Sequence, residues 1–61
     1  MMFRKRTWFY SFVYKNQNNE TVLDCDLYDT MAHGKYVVGE ILDRIFREHP
    51  NAIVLSISRI D

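Results

Sequence analysis

The sequence predicts an α+β domain of ββαβ type: a three-stranded antiparallel sheet, order 2-1-3, with one helix packed on one face. Three observations carry this. The stretch "TWFYSFVY", 7–14, holds five of the nine aromatic residues of the chain. The stretch "TVLDCDLY", 21–28, alternates apolar and acidic residues. Between 31 and 46 the apolar residues recur at helical spacing, and a second β-favouring run follows Pro50.

Residues 7–14 are rich in aromatic and β-branched types, which suit a pleated, half-buried surface. "NQNN" at 16–19 is a polar break that reads as a four-residue hairpin loop. Such a loop sets Lys15 opposite Glu20, and counting outward sets Phe12 opposite Leu23, Tyr10 opposite Cys25 and Trp8 opposite Leu27. In that register Trp8, Tyr10 and Phe12 share an inner face with Leu23, Cys25 and Leu27. Asp24 and Asp26 then fall outside with Phe9, Ser11 and Val13, where a slip of one residue would exchange the two sets.

Asp29 and Thr30 offer N-cap oxygens for the helix. At about 100° per residue, Met31, Gly34, Val37, Val38, Ile41, Leu42, Ile45 and Phe46 form one stripe. Tyr36, Glu40, Asp43, Arg44 and Arg47 lie opposite, with Glu40–Arg44 and Asp43–Arg47 at the i,i+4 spacing that favours ion pairs. Pro50 stops the helix, leaving His49 near the negative end of its dipole. Residues 52–60, "AIVLSISRI", read as the third strand, parallel to the second through a right-handed crossover. The first strand is then central, which explains why it is apolar on both faces. One helix covers only one of them, and the open face is expected to carry Phe9, Val13, Val22, Val54 and Ile60.

Sixty-one residues make one domain, with residues 1–6 as a basic N-terminal tail. A chain of this size buries only about 60% of its unfolded surface, so net stability is expected near roughly 3–5 kcal/mol without help from a bridge, metal or partner. Cys25 is the only cysteine, so no internal disulfide forms, and a lone thiol fits a reducing cytosol. Eight basic residues balance eight acidic ones, so no net field recruits nucleic acid or an anionic membrane. The apolar run after Arg4, Lys5 and Arg6 is rich in Tyr and Ser and has no small-residue cleavage site, so it is not read as a signal peptide. No stretch reaches the ~20 apolar residues of a membrane-spanning helix.

Residues able to carry chemistry are few. Cys25 is expected inside, as a small core residue, where a thiol is inert. His33 and His49 lie sixteen positions apart on one helix, about 24 Å at 1.5 Å per residue, and cannot share a metal within one chain. Asp24 and Asp26 are close enough to divide acid and base roles, but on an open face they serve solubility. Phosphate-binding glycine loops, serine nucleophile motifs and cofactor fingerprints are absent. Arg4, Lys5 and Arg6, supported by Arg59 or Lys15, are the residues that would hold phosphates of a nucleic acid. The expectation is therefore a non-enzymatic, cytoplasmic protein-interaction module without cofactor, metal or small-molecule substrate, dimerising through its open sheet face. The format, one compact unit with no catalytic motif, resembles short open reading frames of phages and mobile elements. That resemblance implies the alternative of an accessory protein that binds a host protein or nucleic acid.

Overall fold

The computed structural model describes residues 4–60. Four elements follow in the order β1 (Arg6–Lys15), β2 (Thr21–Thr30), α1 (Gly34–Glu48) and β3 (Ile53–Arg59). The sheet runs β2-β1-β3, with both outer strands antiparallel to β1, as the ββαβ reading requires. The expected tail over 1–6 lies partly outside the described residues, and Arg6 already belongs to β1.

α1 lies over the sheet through residues four apart. Val37, Ile41 and Ile45 are buried and meet Tyr10 and Phe12 of β1. Around them pack Trp8, Tyr14, Tyr28, Ala52, Val54 and Ile57. The apolar stripe is narrower than its sequence suggests, since Val38 and Phe46 stay exposed one position off this row. The helix also starts later than Asp29 and Thr30 would place it. Thr30 is still paired with Arg6 in the sheet, and its Oγ1 accepts the Ala32 N–H at 3.0 Å. His33 takes the N-cap position instead, without a side-chain cap. At the far end, the His49 N–H donates to the Ile45 carbonyl at 2.8 Å. The His49 ring stacks on Tyr14 with 3.7 Å between centroids, so packing on β1 seats it as well as the helix terminus.

The hairpin register is one residue away from the expected one. Trp8 pairs with Tyr28, Tyr10 with Asp26, Phe12 with Asp24 and Tyr14 with Val22. The cause lies in the turn. Asn16 joins the strand pairing, donating its N–H to the Glu20 carbonyl at 3.0 Å and accepting the Asn19 N–H at 3.0 Å. Its side-chain oxygen accepts the N–H groups of Asn18 and Glu20. Asn19 closes the turn in the left-handed region at φ 60°, which asparagine tolerates better than other residues with a Cβ. Three residues thus turn the chain, in place of four, and every side chain of β2 changes face.

The exchange corrects several expectations. Val22 lies on the helix side of the sheet. Val54 packs against the core, because β3 pairs it with Phe12 after a bulge that leaves Leu55 between the partners of Ser11 and Phe12. Cys25 is exposed on the open face, not buried. Asp24 and Asp26 lie on the helix side, where β2, an edge strand, keeps them exposed to water.

Two substitutions test this account. Asn19→Gly should be tolerated and Asn19→Val should lower unfolding free energy by about 1–2 kcal/mol, the cost of a left-handed L-residue, as read by urea denaturation. Gly39→Ala should raise stability by about 0.5–1 kcal/mol, because a methyl at Gly39 meets no atom within 4 Å.

Candidate interaction surfaces

The open face is built from the odd-numbered residues of β1 and their partners. Phe9 pairs with Leu27 and Ser58, Ser11 with Cys25 and Ser56, and Val13 with Leu23 and Ile53. Ser11 and Ser56 share a hydrogen bond of 2.8 Å between their hydroxyls. Ile60 flanks the face through its N–H bond to the Thr7 carbonyl. Leu23 is 68% exposed, Ile53 65%, Ile60 57% and Leu27 54%, values usual for polar side chains. Of the expected contact residues, Phe9 and Val13 lie on this face. Leu23, Cys25, Leu27 and Ile53 join it, and parity in β2 and the bulge in β3 hid them.

On the helix side a polar cluster ties β2 to α1. The Tyr28 hydroxyl donates to Glu40 Oε2 at 2.9 Å, and the Thr30 hydroxyl donates to the same oxygen at 3.3 Å. Arg44 reaches Asp26 at 3.9 Å and lies over the Tyr28 ring, 5.1 Å from its centroid. Glu40 therefore serves β2 and does not bind Arg44, whereas Asp43 and Arg47 do pair as their spacing suggests. The hydrogen bond to Glu40 holds the Tyr28 hydroxyl above its ordinary value, with partial burial adding to the shift. Tyr10, then Asp26 and Tyr28, raise Arg44 further above its own. Beside this cluster, Asp24, Asp26, Arg44 and Glu48 border a groove of about 120 Å3 floored by Tyr10 and Phe12. Asp24 and Asp26 each accept the N–H of the following residue at 2.8 Å, which gives two amides of this edge strand an internal acceptor.

The third region is cationic. Arg4, Arg6 and Arg59 border a cavity of about 430 Å3 beside Trp8 and the start of α1. The structure brings these three predicted phosphate-holding residues together and leaves Lys5 and Lys15 out of the lining.

Other candidate chemistry is dispersed. Cys25 faces Ser11 on the open face, while His33 and His49 sit at opposite ends of α1 across the sheet. Among the described residues, no three His, Cys, Asp or Glu side chains gather as metal ligands, and no helix is long and apolar enough to cross a membrane. No protein-family model, curated protein or solved structure matches the chain.

The Tyr28–Glu40 bond predicts a pH dependence. A raised folded-state value favours the neutral hydroxyl in the folded chain, so its stabilisation is fully present below the unfolded value of about 10 and is lost as pH rises through the folded one. Tyr28→Phe should cost roughly 0.5–1.5 kcal/mol at neutral pH. Denaturation measured against pH should show the gap between the two proteins constant to about pH 9 and shrinking above pH 10.

Proposed function

We propose that this chain is a non-enzymatic interaction module that pairs with a second copy of itself through the open sheet face. One observation supports this above others: the hairpin register removes Asp24 and Asp26 from that face and puts Leu23, Cys25 and Leu27 there. What remains is Phe9, Val13, Leu23, Leu27 and Ile53 on either side of an uncharged middle row of Ser11, Cys25 and Ser56, with charge only toward the ends, at Lys15 and Asp29. A face of that composition is costly to leave in water and has no repulsive charge against a copy of itself. A second copy also suits a sheet whose other side is already closed by α1, since two open faces packed together form one shared two-sided core.

Size sets the strength. Three strands about 4.8 Å apart and some eight residues of about 3.4 Å rise give a projected area on the order of 400 Å2. Side-chain relief enlarges this, yet it stays below the ~800 Å2 per partner of a standard interface. The dimer is therefore weak and concentration-dependent, in the micromolar range.

Sedimentation equilibrium tests the reading. The native chain should show a reversible monomer–dimer equilibrium across micromolar concentrations. Val13→Asp or Leu23→Asp should shift it to monomer while leaving helical circular dichroism unchanged. A monomer throughout that range, or a dimer indifferent to both substitutions, would refute it.

A further inference from the structure

We propose that the cavity between the sheet and the start of α1 binds a phosphate group carried by a small molecule. It lies on the helix side of the sheet, so it is separate from the open face and its test is independent of dimerisation.

The cavity, about 430 Å3, is bordered by Arg4, Arg6, Trp8, His33, Gly34 and Arg59. The fold assembles it from three distant segments. Arg6 and Trp8 lie on the helix side by parity, Arg59 pairs with Trp8 across β1 and β3, and Gly34 opens α1. No aspartate or glutamate borders the cavity, and none of its three arginines pairs with a carboxylate among the described residues. In a chain with eight cations and eight acids, three guanidinium groups unpaired among the described residues and gathered around one hollow form a concentrated local charge.

The other groups there are donors as well. α1 has no acidic residue in its first turn and no side-chain cap, so the Gly34 and Lys35 amides keep their partial positive charge, while the Tyr36 N–H donates to the His33 carbonyl at 2.8 Å. The guanidinium groups and the helix amides only donate, and the His33 imidazole can donate as well. The complement of such a set is a compact anion with several acceptor oxygens. Phosphate fits because guanidinium forks bind pairs of its oxygens, and helix N-termini favour the same charge. The volume exceeds a bare phosphate and falls in the range of small-ligand pockets, leaving room for an organic group beside Trp8.

Trp8 is the only tryptophan in the chain and borders this cavity, so its fluorescence reports on it. The full chain is titrated at low salt with AMP, inorganic phosphate and adenosine. AMP and phosphate should change the emission saturably, AMP with the higher affinity, and adenosine should not. Arg59→Gln and Arg6→Gln should each weaken AMP binding about tenfold, the scale of one charge-assisted hydrogen bond. Circular dichroism checks that each variant is folded, and Arg59, exposed at a strand end, provides the variant least disturbing to the fold. The proposal is overturned if adenosine binds as well as AMP, if neither phosphate saturates, or if binding survives loss of the arginine charges.

Discussion

The structure depends on a parity set by one turn. Asn16 takes part in strand pairing and Asn19 adopts the left-handed conformation, so three residues turn the chain where four would reverse the face of every side chain in β2. The two registers differ sharply. In one, Asp24 and Asp26 lie on the open face and Leu23, Cys25 and Leu27 under the helix. In the other, which the chain adopts, the apolar set is the one left uncovered. Local turn chemistry has overridden the hydrophobic pattern of β2. An edge strand permits this, because α1 sits above β1 and leaves most of the outer strand in water, with only Val22, Tyr28 and Thr30 half-buried.

That placement explains how the helix side accommodates acidic residues. The fully buried set is small: Tyr10 and Phe12 from β1, and Val37, Ile41 and Ile45 from α1. β2 adds only Tyr28 to the packing around it. Asp24 and Asp26 lie beyond the edge of this core, where Asp26 meets Arg44 and both carboxylates accept amides of their own strand. Exposed contacts of that kind are worth little individually. They suffice here because no charge has to leave water, whereas truncating Ile41 would remove about 2–5 kcal/mol from the centre of a five-residue core. The register is therefore cheap for β2 and leaves the core on β1 and α1 untouched.

Much of the fold was legible because its strongest signals are long-range patterns. The aromatic density of 7–14 marks a strand apolar on both faces, hence central, and Pro50 divides helix from strand with little ambiguity. Strand order follows from that centrality. What the pattern could not carry was parity, for which each strand admits two answers and the loop decides. Asn16 and Asn19 held the signal, since asparagine favours both side-chain capping of a turn and positive φ, but four consecutive polar residues do not reveal which of them joins the ladder. The bulge at Leu55 was hidden for a similar reason, and it is what seats both Val54 and Ile57 against the core. Of the candidate site, Phe9 and Val13 were assigned to the right face although the register that assigned them is one residue off, because the shift exchanges the faces of β2 and leaves Trp8, Tyr10 and Phe12 under the helix. Leu23, Leu27 and Ile53 were not, because each depends on a neighbour's register.

Net charge hides the remaining feature for a physical reason. Equal numbers of cations and acids predict no field only if they are mixed over distances shorter than the screening length, about 8–10 Å near physiological salt. α1 spans fifteen residues, about 22 Å, with His33 at one end and His49 at the other. Arg4, Arg6 and Arg59 gather at the first end, while Asp24, Asp26 and Glu48 lie toward the second, with Arg44 among them. Asp29 belongs to the cationic end but sits across the sheet, opposite Thr7. Glu40 lies between the two groups, bonded to Thr30 opposite Arg6, so it is the far ends of α1, more than twice the screening length apart, that carry the contrast in charge. Alternation then divides the roles within β1: odd positions from Thr7 to Val13 give the uncharged face, and even positions give the core and, at Arg6, one wall of the cationic cavity. Because these surfaces lie on opposite sides of the sheet, a partner on the open face leaves the arginine cavity free.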